Sequence, residues 1–425
     1  MTSPIWHPFT QHALFPEAIH IERAQGAYLY TKDGRRIIDA IASWWVNVHG
    51  HCHPKITAAI RRQAETLDQI IFAGFTHEPA ENLARKLIDI TGLQHVFFSD
   101  SGSTSVEVAL KMALGYWANT GRPRHGIVVM ENGYHGDTFG GMSVGERGTF
   151  NDPYAPLLFD VLRLPFPHAG REQDTVDAFE KILRESRDTI AALILEPLVL
   201  GAAGMLMYPP SVLKSLHDLC KKHSVFFIAD EVMTGWGRTG TRFSCAQAGV
   251  TPDILCLSKG LTSGSLPLAV TLCTGGIFQA FYSTDRRKTF FHSSSYSGNP
   301  LACAAALASL ELWDEEPVTQ RIQAISAYHA KALPVLARHP SVTTTRHTGT
   351  IAALDLVTPS QGYLSALGPQ LYRAFLDKGL LLRPLGNTIY ILPPYCVTTE
   401  DLDVIYSGIA EALDTVGCGA AQPAV

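Results

Sequence analysis

Three polar residues each follow an unbroken apolar run. Glu196 closes AALILE (191–196), Asp230 closes VFFIAD (225–230) and Lys259 follows ILCLS (254–258). Apolar runs without alternation read as strands covered on both faces, and ligands of open α/β sheets bind outside the carboxyl ends of such strands. A lysine in a partly buried, cationic site has a lowered amine pKa and becomes nucleophilic near neutral pH. Lys259 sits in LSKGLTSG (257–264), where small neighbours leave room for a bulky aldehyde adduct. Asp230, one strand earlier, is placed to hold the protonated nitrogen of a pyridine ring. The pair suits pyridoxal phosphate, whose charged ring is an electron sink for the carbanion left when a Cα proton departs. Alone, each reads equally as a strand-end polar residue meeting solvent, and Lys259 as a surface lysine. The pairing is what points to chemistry.

Other residues extend this reading. DSGSTS (100–105) precedes a helical stretch over 106–117, and free N–H groups at a helix start suit a phosphate. By itself the motif is also an ordinary Ser/Thr helix cap. Tyr134, in GYHG (133–136), is suited to stack on a pyridine ring or to pack as a structural tyrosine. HGHCH (49–53) has three alternate histidines, but no carboxylate or second cysteine is spaced to complete a metal site. The expectation there is a hydrogen-bonded loop and no metal.

These residues need a scaffold, and the 425-residue chain, 46% hydrophobic, is long enough for a large core and more than one domain. GIVVME (126–131) and LAVTLC (268–273) join the three runs above as buried strands, with helical periodicity between them, as over 211–222. The class is α/β with a mainly parallel sheet. After about Leu312 the pattern changes to a helix over 317–337, strands over 351–356 and 388–392, and a helix over 399–416. This reads as a smaller α+β domain. GAYLY (26–30) and RIID (36–39) form a candidate hairpin joined to it, and the tail from Gly417 is expected to fray. The division is 1–45, 46–314 and 315–425. A net charge of −5 without a basic run argues against nucleic acid. The absence of a membrane-length apolar stretch or a secretory signal argues against membrane insertion and export. Eight scattered cysteines without a CxxC pair read as reduced, in a cytoplasmic protein.

Ser101-Gly-Ser, GYHG (133–136), DEV (230–232), GRTG (237–240), Ser258-Lys259 and SGNP (297–300) fall in an order, over nearly the whole chain, that resembles the class III aminotransferases of PLP fold type I. The resemblance implies a large domain with a seven-stranded, mainly parallel sheet, a small domain made from both chain ends, and a homodimer with shared active sites. WHPFTQ (6–11), SWW (43–45), VHG (48–50), GYHGDTF (133–139), LRPLG (382–386) and LPPY (392–395) narrow it to the biotin-pathway aminotransferases. These convert 8-amino-7-oxononanoate to 7,8-diaminononanoate, usually with S-adenosylmethionine as donor. What that implies for the site is specific. Lys259, Asp230 and Tyr134 carry the chemistry. Gly102 and Ser103 hold the phosphate, with Ser294 and Ser295 presented to it by the neighbouring subunit. Phe9, Trp44, Trp45 and Tyr390 form an aromatic wall, Arg383 receives the substrate carboxylate, and Asp137 and Arg238 are polar pocket residues.

Two positions depart from that pattern: Phe9 where tyrosine is frequent, and Ser293-Ser294-Ser295 where Gly-Pro-Thr is frequent. The aromatic wall and guanidinium suit a long alkyl chain ending in a carboxylate, although paired tryptophans also serve packing and Arg383 also suits a surface ion pair. The rival readings are a class III ω-amino-acid or diamine aminotransferase, a pyridoxal-phosphate aminomutase or racemase, and a non-enzymatic protein of the same fold.

Overall fold

The structure, a computed structural model, describes residues 4–15, 17–358 and 362–416; the tail expected to fray lies outside them. Near the N-terminus, β1 (Ile21–Gln25), β2 (Tyr28–Thr31) and β3 (Arg36–Asp39) form an antiparallel ribbon. The central sheet draws on β4 (His95–Ser99), β5 (Gly126–Met130), β6 (Leu162–Leu164), β7 (Ile190–Leu195), β10 (Phe226–Asp230), β11 (Ile254–Leu257) and β12 (Ala269–Cys273). Between β7 and β10 lies a two-stranded hairpin, β8 (Val199–Leu200) and β9 (Leu206–Met207). Toward the C-terminus come β13 (Val342–Thr348), β14 (Ile351–Leu356), β15 (Leu380–Leu381) and β16 (Thr388–Ile391).

The central sheet has seven strands in the order β4-β12-β11-β10-β7-β5-β6. All pairings are parallel except the two made by β12, which runs against both β11 and β4. Reversing one strand between two others leaves β4, β11, β10, β7 and β5 pointing the same way. Their carboxyl ends therefore open on one edge, and the segments carrying Ser101, Tyr134, Glu196, Asp230 and Lys259 all leave there. This is why strand-end residues far apart in sequence converge.

The unbroken apolar runs follow from burial on both faces. Successive strand residues point to opposite sides, and in β10 Phe227 and Ala229 enter one core while Ile228 enters the other. In β11 Leu255 and Leu257 face the first and Ile254 and Cys256 the second. The helix Gly102–Asn119 covers the second face with Val106, Ala109, Leu110, Ala113 and Trp117. Helices Glu172–Ser186 and Pro210–His223 supply Phe179, Leu183, Leu213 and Leu216 to the first. No helix among the described residues is long and apolar enough to cross a membrane.

The chain ends meet in a second sheet, where β15 pairs in parallel with β3 in the order β1-β2-β3-β15. Strands β13, β14 and β16 form a third. The strands outside the periodicity reading are β1, β4 and β13, whose IERAQ, HVFFS and VTTTRHT mix polar with apolar residues, and β6, β8, β9 and β15, which have only two or three residues each. Arg346 of β13 ties the third sheet to the β8–β9 loop. It binds both carboxylate oxygens of Asp355 at 2.6 and 2.9 Å, donates through Nε to the Met205 carbonyl at 2.8 Å, and also reaches the Gly204 carbonyl.

Burial would push the Asp355 carboxyl up, but hydrogen bonds from Arg346, Thr344 and Thr388 outweigh it and hold it below its ordinary value. A depressed folded-state pKa contributes stability above the unfolded value and loses it as pH falls through the folded one. Arg346→Met should therefore cost about 1–3 kcal/mol at neutral pH, since the pair is only partly shielded. The difference from wild type should begin to shrink below about pH 4, where the unfolded chain's aspartate protonates, and fade as pH falls through the lower folded-state value. Urea unfolding at several pH values measures this; a pH-independent difference would contradict the ion pair as its source.

Candidate active site

Lys259 lies just past β11 with φ 46°, a left-handed conformation unusual for a residue with a side chain. It is held there by its neighbours. The Ser258 carbonyl accepts the Trp236 indole N–H at 3.1 Å, and the Ser258 hydroxyl donates to the Leu268 carbonyl at 2.8 Å. A Cβ on Gly260 would stand 2.9 Å from Trp236, so the chain can pass beneath that ring only as glycine. The Lys259 Nζ lies 4.6 Å from the centroid of the Trp45 ring. Burial lowers its pKa to about 8, with Asp230 and Glu196 opposing and Arg238 adding to the shift.

Asp230 ends β10 and is only 4% exposed. Its Oδ2 accepts from His135 Nδ1 at 2.7 Å and its Oδ1 from the Val232 N–H at 3.1 Å. His135 is itself buried, and its Nε2 has no partner among the described residues. Beside it, the Tyr134 N–H donates to Glu196 Oε1 at 3.0 Å, and the Gly201 N–H donates to Oε2 at 3.0 Å. Burial raises the Glu196 pKa to about 7, with His135 opposing and Asp230 adding. The Tyr134 hydroxyl is pushed up by burial and by its hydrogen bond and charge contact with Asp137.

At the next strand end, Ser101 caps the helix Gly102–Asn119 by accepting the Thr104 N–H at 3.2 Å, in a capping box with Thr104. Ser103 Oγ lies 2.8 Å from Thr138 Oγ1 and accepts the Thr138 N–H at 3.1 Å. The loop that carries Tyr134 crosses the helix start so closely that a Cβ on Gly136 (φ +107°) would come within 2.2 Å of Ser103 Oγ. The first N–H groups of a helix have no partner inside it, so Gly102 and Ser103 present donors beside Tyr134. Ser294 bonds Asp100, two residues ahead of Gly102; Ser295 is exposed, and its carbonyl accepts from Gln69 at 2.7 Å.

The aromatic residues form two joined groups. Trp45 donates its indole N–H to the Tyr390 hydroxyl at 3.0 Å and meets that ring edge-on. Trp44 meets Phe9 edge-on at 5.6 Å, and Phe9 in turn touches Phe150 and Tyr363. The Arg383 guanidinium lies 5.1 Å from the Trp44 ring centroid and donates to the Phe9 carbonyl at 2.8 Å. An open cleft of about 760 Å³ runs beside these groups, lined by Tyr134, Asp137, Arg147, Phe150, Ala203 and Tyr363.

Arg238 requires a correction. The sequence reading places it among the substrate contacts, but it is 1% exposed and its guanidinium donates to the backbone carbonyls of Pro393, Trp45 and Asn47 at 2.7, 3.2 and 2.9 Å. It braces the backbone of the tryptophan segment. The histidines of HGHCH are also engaged: His49 with the Ser309 carbonyl, His51 with Asp39 and His53 with Glu316. His135, Arg147, Phe150 and Tyr363 were assigned no role from sequence. His135 alone had a signal, its place beside Tyr134 in GYHG; the others sit in loops without periodicity.

The donor set fits pyridoxal phosphate. An amine makes no hydrogen bond among the described residues, a buried carboxylate stands on the adjacent strand, and open N–H groups lie at a helix start. The class-III aminotransferase family model matches residues 10–413. The chain is 50% identical to the adenosylmethionine-8-amino-7-oxononanoate aminotransferase of Synechococcus elongatus, over 97% of this chain and 99% of that protein. It is 38% identical to the enzyme of that name from Geobacter sulfurreducens, over 98% and 96%. Among solved structures, the Methanocaldococcus jannaschii enzyme of that name superposes with a TM-score of 0.93 at 35% identity, covering 97% of each chain. A PLP-bound amine transaminase from an uncultivated Pseudomonas species gives 0.92 at 33% identity, over 98% of this chain and 100% of that one. By its sequence from end to end and by its fold, the chain belongs to the class III aminotransferases.

Proposed function

We propose that the protein transfers an amino group from S-adenosylmethionine to 8-amino-7-oxononanoate, forming 7,8-diaminononanoate for biotin synthesis, with pyridoxal phosphate held at Lys259. The observation that carries the substrate is Arg383 over Trp44, at the end of an aromatic wall. An apolar chain is buried favourably against aromatic rings, and a carboxylate at its far end needs a cation, because a buried unpaired carboxylate is costly. The names of the relatives support the same reading.

Bound pyridoxal phosphate supplies a ring that delocalises the electron pair left when a proton leaves the amine-bearing carbon. Lys259 Nζ would hold the cofactor and, once freed, would move a proton between the amine-bearing carbon of the substrate and the cofactor carbon that carries the amino group, outward in the donor half-reaction and back in the acceptor one, as general base and acid. Asp230 keeps a proton on the ring nitrogen, and His135 fixes the carboxylate in place. Tyr134 would stack on the ring, and its hydroxyl bonds Asp137. The N–H groups of Gly102 and Ser103 hold the phosphate, joined by Ser294 and Ser295 of a second copy. The wall of Phe9, Trp44, Trp45 and Tyr390 orients the acceptor chain and excludes water. This assigns the chain to a cytoplasmic homodimer, with 1–45 and 315–425 forming a small domain against 46–314.

Two measurements test this reading. In the cofactor-free protein, competitive acylation of Lys259 should titrate with a midpoint of about 8. Asp230→Asn should move the midpoint lower, because removing an anion disfavours the charged amine; a midpoint near the ordinary lysine value of about 10.4 would contradict the buried site. Arg383→Ala should raise the acceptor KM by the equivalent of about 2–5 kcal/mol if the pair is buried. The donor half-reaction should change far less, since S-adenosylmethionine carries its carboxylate on the amine-bearing carbon itself and has none at a distance along an alkyl chain. Equal damage to both half-reactions, followed separately by stopped-flow absorbance, would remove Arg383 from the carboxylate site.

A further inference from the structure

The segment carrying both tryptophans is the most strained stretch of backbone at the site. Ala42, Ser43 and Trp45 all have positive φ, at 51°, 61° and 66°. Ser43, with ψ −88°, lies near the γ-turn region that residues with side chains rarely enter. Such conformations persist only where surrounding structure over-determines them.

One side chain does most of this holding. Asp39 ends β3, is wholly buried, and takes the Ser43 N–H on both oxygens at 2.9 and 2.7 Å. It also accepts the Ser43 hydroxyl at 3.2 Å and the Ile41 N–H at 3.3 Å. His51 Nε2 closes the carboxylate at 2.8 Å. From the other side Arg238 grips the Trp45 and Asn47 carbonyls. Asp39 is also in register with Leu381 of β15, two residues before Arg383. One carboxylate thus sets the turn that carries Trp44 and lies at the strand pairing that leads to Arg383.

We infer that Asp39, closed by His51, is a positioning residue for acceptor specificity: it holds the strained turn at Ser43 so that Trp44 packs against Arg383 at the alkyl-carboxylate end of the pocket. This rests on the acceptor reading given above. An amide at position 39 keeps one acceptor oxygen but turns a donor toward the Ser43 N–H or His51. Glycine at position 43 enters the same backbone region without the side-chain penalty.

The test uses the holoenzyme and nonanoate, an unreactive nine-carbon carboxylate, titrated by calorimetry. Asp39→Asn should weaken nonanoate binding by about tenfold. The rate of the donor half-reaction should change by less than about threefold, and adding Ser43→Gly should recover much of the lost affinity. Ser43→Val, which puts a β-branched residue at the strained position with Asp39 intact, should reproduce the loss and serves if Asp39→Asn does not fold. Unchanged nonanoate affinity in Asp39→Asn or in Ser43→Val would overturn the inference, as would a loss shared equally by the donor half-reaction and not relieved by Ser43→Gly. If the wild-type protein itself does not bind nonanoate, the acceptor reading fails and the inference falls with it.

Discussion

A carboxylate held out of water at the end of the central strand is the constraint around which the rest of the site is arranged. Burying Asp230 is costly unless its oxygens are satisfied, and His135 and the Val232 N–H satisfy them. Its neighbours answer the same demand. Lys259 on the next strand supplies a compensating amine, and Glu196, burdened by its own burial and by Asp230, rises to about 7. The parallel direction of β7, β10 and β11 brings these groups together, so the electrostatics depend on the sheet topology.

The pocket is a meeting of three sheets. The central sheet presents the lysine and acids, the ribbon closed by β15 presents the tryptophans and Arg383, and the third sheet steadies the β8–β9 loop through Arg346. Charged side chains on backbone groups fix the segments between them: Arg238 on three carbonyls, Asp39 on two N–H groups of the turn that follows β3, Arg346 on two carbonyls of the β8–β9 loop. Such contacts fix backbone positions more narrowly than apolar packing does, because a hydrogen bond weakens steeply with misalignment. That suits a site where aromatic walls from one sheet must meet an amine from another.

Much of this was legible in the residues. The runs at 191–196, 225–230 and 254–258 revealed the central strands because burial on both faces leaves no polar position, and their last residues mark the site. β4 and β13 escaped because the apolar run of β4 is only the three residues VFF between a histidine and a serine, and β13 is mostly polar. Arg238 was misplaced for a different reason. An arginine between glycines in GRTG looks available for a ligand, and nothing local reveals that carbonyls from 45, 47 and 393 surround it. His135 was visible in its motif, but its bond to Asp230 spans 95 positions and exists only in the fold. The cleft-lining Phe150 and Tyr363 come from loops, where sequence pattern does not report position.

Amine, acid, aromatic wall and arginine are together arranged to select 8-amino-7-oxononanoate as the amino acceptor. The most direct measurement incubates purified protein and pyridoxal phosphate with that ketone and, in separate reactions, S-adenosylmethionine, lysine, a diamine or an ω-amino acid, and resolves the products by mass. 7,8-Diaminononanoate should form, fastest with S-adenosylmethionine; this is the expected result. No 7,8-diaminononanoate from any of these donors, or faster formation from the diamine or the ω-amino acid, would contradict it.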